Sequence, residues 1–130
     1  MANTVRGEVD VDLGGKQYTL RMDFTAMEMI ETQTKTGLMV LLRSFMTSTY
    51  KASDAATVVW ACANVVLLEK KQAPLDLGWV GSKMMEKGFK EYSIVVSEFL
   101  FRALAGPKIE APLEDASGAQ GSGASEAGKE

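Results

Sequence analysis

Apolar and polar residues alternate through the first two dozen positions. Val5, Gly7, Val9, Val11 and Leu13 occupy one phase, and Arg6, Glu8, Asp10 and Asp12 the other. After Gly14-Gly15 the alternation resumes, with Tyr18, Leu20, Met22 and Phe24 in one phase and Gln17, Thr19, Arg21 and Asp23 in the other. A period of two places each set on its own face of a strand, and paired glycines supply the positive φ values of a tight turn. The pattern therefore predicts a β-hairpin over residues 5–23, its outer face setting carboxylates on one strand against Arg21 on the other. A lone hairpin is marginal in water, so the inner face, Val9, Val11, Leu13, Tyr18, Leu20 and Met22, needs a core to pack on.

From Asp23 the period lengthens to that of a helix. Asp23 or Thr25 can cap a helix over about 25–35, in which Ala26, Met27 and Ile30 fall on one side and Glu28 and Glu31 suit the positive end of the dipole. Gly37 ends it or marks a joint, and "LMVLLRSFM" continues as a helix over about 38–46 with Leu38, Leu41, Leu42 and Phe45 on one face. Ser53-Asp54 offers a cap for a third helix over about 54–70. That helix is apolar nearly all round, the mark of a buried central element. "QAPLD" breaks it, and a weaker helix over about 76–87 follows, interrupted by Gly78 and Gly81. Beyond Gly88, a helix over about 89–104 carries Phe89, Tyr92, Val95, Val96, Phe99, Leu100, Ala103 and Leu104 at i, i+3, i+4, i+7 spacing, and Gly106-Pro107 stops it. The expected fold is α+β and mostly helical: an N-terminal hairpin packed on four to five helices in one domain, residues 1–106.

Composition then changes abruptly. Residues 107–130 hold no aromatic, many Gly, Ala and Ser residues and a net charge of −3, whereas residues 1–106 carry twelve charges of each sign. Such a segment cannot bury enough apolar area to offset the ordering cost of roughly 1–2 kcal/mol per residue, so a disordered acidic tail is expected there. The near-neutral body argues against a phosphate-tracking surface and hence against a nucleic-acid partner. The longest apolar run, Ala55 to Leu68, is about 14 residues and includes Thr57 and Asn64. That falls short of the roughly 20 residues of a bilayer span, so no membrane partner is expected either. No leader pattern opens the chain, which makes the cytoplasm the expected compartment.

Catalytic chemistry has little to work with. The chain has no histidine, which removes the commonest general base and metal ligand. "DVDLGGK" lacks phosphate-loop spacing and joins two strands, while Asp10 and Asp12 share a strand face with no loop to complete a calcium site. Cys62, the single cysteine, lies in "VVWACANVVLL" and reads as a buried, inert thiol. Neither an enzyme nor a cofactor is expected. Among the eight methionines, Met22, Met27 and Met84 fit core positions, whereas Met29, Met39 and Met85 fall off the main apolar faces. Off-face methionine marks either an adaptable partner-binding surface or helices that bury more than one stripe.

The opening Arg6 to Val9, Leu13 to Lys16, Tyr18, Leu20 and Arg21, followed by Phe24, Ala26, Met27, Ile30, Glu31 and Gly37, resembles the small tail assembly chaperones of long-tailed bacteriophages. The likeness is to the branch found in gene transfer agents. It covers residues 5–46 by motif and the remainder by helix order, with "DLGWVGSKMMEKG" standing where that family has an acidic, Leu-rich helix. The resemblance implies a binding protein of the host bacterial cytoplasm that coats the long helical tape measure protein until tail tube subunits displace it. The implied partners are the tape measure protein, the tail tube protein and further copies of the chain itself. Met29, Met39 and Met85 are then the candidate contact residues. A minor structural tail or connector component, retained in the virion, is the alternative.

Overall fold

The computed structural model describes residues 7–105. Val5 and Arg6 of the expected hairpin, the Gly106-Pro107 stop and the tail over 107–130 lie outside the described residues. Two strands, β1 (Val9–Leu13) and β2 (Lys16–Leu20), precede five helices, α1 (Phe24–Thr34), α2 (Leu38–Met46), α3 (Ala52–Glu69), α4 (Leu77–Lys87) and α5 (Phe89–Ala105). The α+β, mostly helical architecture is the one the hydrophobic pattern predicts.

β1 and β2 pair antiparallel with Leu13 opposite Lys16, Val11 opposite Tyr18 and Val9 opposite Leu20. The two-residue turn has φ of 63° at Gly14 and 89° at Gly15, the doubly positive geometry that suits the strand twist and excludes most side chains. Val11, Leu13 and Leu20 are buried, so the inner face does close on the helical core.

Gly7 has φ +81°, and one step beyond the Val9–Leu20 pair the expected outer-face pairing of a carboxylate with Arg21 is made by Glu8. Its carboxylate is only 5% exposed and accepts from Arg21 Nε at 2.8 Å. β2 stops at Leu20, and the Arg21 N–H donates to the Cys62 carbonyl of α3 at 3.1 Å. Asp23 then caps α1 through the Ala26 N–H, which makes Phe24 a first-turn helical residue, 68% exposed and not part of the strand's inner face.

Other boundaries shift for local reasons. Lys35, with φ 57°, closes α1, and Gly37 is the extended joint that opens α2. Glu31 serves α2 and not the α1 dipole: its Oε2 accepts the Leu38 N–H at 2.8 Å. α3 starts at Ala52 behind Lys51 with no side-chain cap, so the Ser53-Asp54 cap does not form, and Asp54 sits in the first turn instead. α4 runs through Gly78 and Gly81 because the Asp76 side chain holds the Trp79 N–H at its start.

α3 is the centre of the molecule, with twelve of its 18 residues buried. By length and composition alone it is apolar enough to cross a membrane, yet it is the core helix, packed against α1, α4, α5 and β2. α1 packs along it, the start of α1 beside Cys62 and its end beside Ala52 and Thr57. The hairpin, α4 and α5 complete the shell, and α2 packs on α5. Fully buried side chains such as Leu20, Ile30, Leu41 and Leu100 each contribute roughly 1.5–3 kcal/mol by leaving water. Burial also pushes the Cys62 thiol far above its ordinary value, with the Asp23 charge adding to the shift.

Polar groups inside the core are paired, as low-dielectric burial demands. Asn64 is a two-way clamp on the α3–α4 connection: its Oδ1 accepts the Leu75 N–H at 2.7 Å and its Nδ2 donates to the Leu75 carbonyl at 3.1 Å. Trp60 Nε1 donates to the same carbonyl at 3.0 Å. Tyr50 stacks on Phe45 with ring centroids 4.5 Å apart and donates its hydroxyl to Ser93 of α5.

Candidate functional site

Leu77, Gly81 and Met85 recur at i, i+4 and i+8 along α4, on the flank beside the one that buries Val80 and Met84. They form one wall of a groove of about 530 Å³ whose other sides are Ala52 and Ala56 of α3, Gln33 and Thr34 of α1, and Phe89 at the start of α5. The groove exists because small residues line its floor. A Cβ built on Gly81 meets only the Ala56 Cβ, at 3.9 Å, so the backbones of α3 and α4 are laid open where larger side chains would close over them. Lys51 and Asp54 mark one end.

A second depression of about 570 Å³ runs along α1, lined by Thr25, Glu28, Met29, Thr32 and the Trp60 ring. Gln33 of α1 borders both depressions. The first, with Leu77, Met85 and Phe89 along its walls, has the shape and chemistry of a surface that receives an apolar helix face or extended segment.

The three methionines singled out from sequence stand in different settings. Met85 is 72% exposed on the wall of the first groove. Met29 is half-buried and packed against the core, so helix α1 buries a wider stripe than its main apolar face. Met39 is 64% exposed on α2 and borders neither depression. It has Leu42 and Met46 at i+3 and i+7 on the same flank. Met29 and Met85 thus line two depressions that share Gln33, and Met39 lines neither. The residues that sequence pattern missed are Ala52, Ala56, Gly81 and Phe89. Small side chains carry no hydrophobic signal, and the glycine reads as a helix breaker until the neighbouring helix is in place.

Among the described residues no group of three His, Cys, Asp or Glu side chains converges to hold a metal ion. The charged groups near the hairpin are engaged structurally. Arg21 lies between Glu8 and Glu69, and its guanidinium is held above its ordinary value chiefly by the hydrogen bond to Glu69 and then by that to Glu8. Lys87 reaches Asp12 at 3.2 Å.

Residues 6–106 match the model of a family described as phage tail tube protein, GTA-gp10. The chain belongs to that family. It is therefore a bacteriophage tail-related protein with a role in tail morphogenesis or structure. The family carries the gene-transfer-agent label that the hairpin motif led to, but its description names the tail tube and not a chaperone. No curated protein and no solved structure matches this phage tail protein.

Proposed function

We propose that this phage tail protein is a tail assembly chaperone, a binding protein without catalysis or cofactor that acts in the host cytoplasm. It covers apolar faces of the tape measure protein and yields them to tail tube subunits as the tube grows. The observation that carries the reading is the groove floored by Ala52, Ala56 and Gly81 and walled by Leu77, Met85 and Phe89. A long helix with an apolar face aggregates unless something covers it. A shallow groove with a flexible methionine wall covers such a face without demanding one sequence, and holds it weakly enough for displacement.

The family description favours a second reading, a minor structural tail or connector component that stays in the particle. Mass spectrometry of purified particles separates the two. The chaperone reading expects the protein to co-purify with the tape measure protein from infected cells and to be missing from finished particles. Stoichiometric retention in the particle sinks the chaperone and establishes the structural component.

A further inference from the structure

α2 carries one charge in nine residues, Arg43, and a helix so apolar belongs in a core. The fold buries only one side of it. Leu38, Leu41 and Phe45 are enclosed, while Met39, Val40 and Met46 are exposed. α5, on which α2 packs, repeats the division: Tyr92, Val96, Phe99 and Leu100 are buried, whereas Ile94 and Phe101 are exposed. Five of the eight exposed large apolar side chains among the described residues therefore stand on these two helices. Scattered single residues of this kind need no explanation, but such a concentration marks a surface that something covers.

The two exposed flanks match in spacing and oppose each other in charge. Met39, Arg43 and Met46 fall at i, i+4 and i+7 on α2, and Ile94, Glu98 and Phe101 fall at i, i+4 and i+7 on α5. That spacing sets three side chains along one face of a helix over two turns, about 10.5 Å. Arg43 is the one charge between its two apolar neighbours, as Glu98 is between its own, and Lys90 and Arg102 lie outside that span. Both Arg43 and Glu98 are exposed, and neither enters an ion pair among the described residues. Although α2 packs on α5, the two charges therefore do not meet within one chain.

We propose that each flank is covered by the other flank of a second copy: α2 of one molecule lies on α5 of the next, with Met39 and Met46 against Ile94 and Phe101 and with Arg43 paired to Glu98. The apolar pairs supply the contact, and the charge pair between them fixes its register. A second copy is the occupant because the complement, apolar at the same two positions and opposite in charge between them, is on the chain itself. α2 against α2, or α5 against α5, would set like charges together. The flanks are different surfaces, so each molecule offers one of each and the contact passes from copy to copy. None of the six side chains lines the groove walled by Leu77, Met85 and Phe89. The inference therefore stands apart from the chaperone reading and holds equally for a component retained in the particle.

Sedimentation velocity of the full chain over a concentration series tests it. The mean mass of wild type is expected to rise with concentration. Arg43→Glu and Glu98→Arg each set like charges face to face, and each is expected to weaken association by at least about tenfold. Their urea midpoints stay at the wild-type value, because neither side chain has an ion pair to lose within the chain. The double reversal Arg43→Glu/Glu98→Arg, and an equimolar mixture of the two single variants, are expected to regain association. Lys70→Glu, a charge reversal at the end of α3, leaves it unchanged. Wild type that stays monomeric throughout the series overturns the proposal, and so does association that both single reversals leave intact. Weakening that neither the double reversal nor the mixture restores overturns it too, since Arg43 and Glu98 then have separate contacts.

Discussion

Tyr92, near the start of α5, donates its phenol to the main-chain carbonyl of Asp12, 80 residues earlier in the chain. Asp12 also takes Lys87 on its carboxylate at 3.2 Å, so one strand residue ties the hairpin to both C-terminal helices. Removing the hydroxyl leaves a carbonyl at the edge of the core without its donor. Tyr92→Phe is expected to lower stability by about 1–2 kcal/mol, measured by urea denaturation. The phenol is held above its ordinary value of 10.0, mainly by burial, with Asp12 and Glu91 adding and Lys87 opposing. A raised folded value means that the unfolded chain ionises first, so the contribution is fully present below about pH 10 and lost as pH climbs through the folded value. The gap between wild-type and Tyr92→Phe midpoints should therefore hold constant up to that pH and narrow above it.

Arg21 joins two carboxylates of unequal worth. Glu8 is nearly buried, its side chain 5% exposed, while that of Glu69 is 60% exposed. Taking the guanidinium away leaves the Glu8 charge inside the protein without this cation, whereas losing Glu69 removes only a solvated partner. Arg21→Met is expected to cost about 2 kcal/mol and Glu69→Ala no more than about 0.5 kcal/mol. In the double variant Glu8→Gln/Arg21→Met, part of the loss should return, because the buried charge goes with its partner. A urea series on the four proteins reads this directly, and a Glu69→Ala cost equal to that of Arg21→Met would contradict the ranking.

The extent to which the fold is legible in sequence follows from which signals are local. Period-two alternation around Gly14-Gly15 and the all-apolar face of α3 are strong local patterns, and both elements form where they point. Phe24 shows the limit. It lies beyond the end of β2, where the Asp23 cap turns the chain into α1 and strand parity no longer applies. The groove was the least legible feature. Its floor, Ala52, Ala56 and Gly81, is defined by side chains that are missing, and an absence becomes a surface only when α3 and α4 cross.

Cys62 offers a probe of the core that needs no substitution. The thiol is fully buried in α3, and desolvation holds it protonated well above its ordinary range. Thiolate, not thiol, attacks disulfide reagents. Labelling of native protein by an aromatic disulfide reagent should therefore proceed at the rate of global unfolding and accelerate with urea along the unfolding limb. Rapid, urea-independent labelling would show that α3 opens locally, contrary to its central position.

The groove makes a prediction in which stability and binding move in opposite directions. Gly81 lies within α4 and lines the groove, and a Cβ added there meets Ala56 at an ordinary 3.9 Å. Gly81→Ala should raise stability by roughly 0.5–1 kcal/mol through helix propensity alone, while the new methyl narrows the groove floor. Gly81→Leu fills the space outright. Met85→Asp leaves the floor alone but sets a charge on the wall, where an apolar segment would have to desolvate it. If the groove receives the tape measure protein, all three variants lose its co-purification, Gly81→Ala least, while their urea midpoints are unchanged or higher. Met39→Asp, on α2 and outside the groove, serves as the matched control and should retain binding. Loss of binding in Met39→Asp with retention in Met85→Asp would move the contact surface to α2. A stabilised Gly81→Ala that binds less well is a result that a purely structural role for the groove does not produce, since a defect in folding lowers both together.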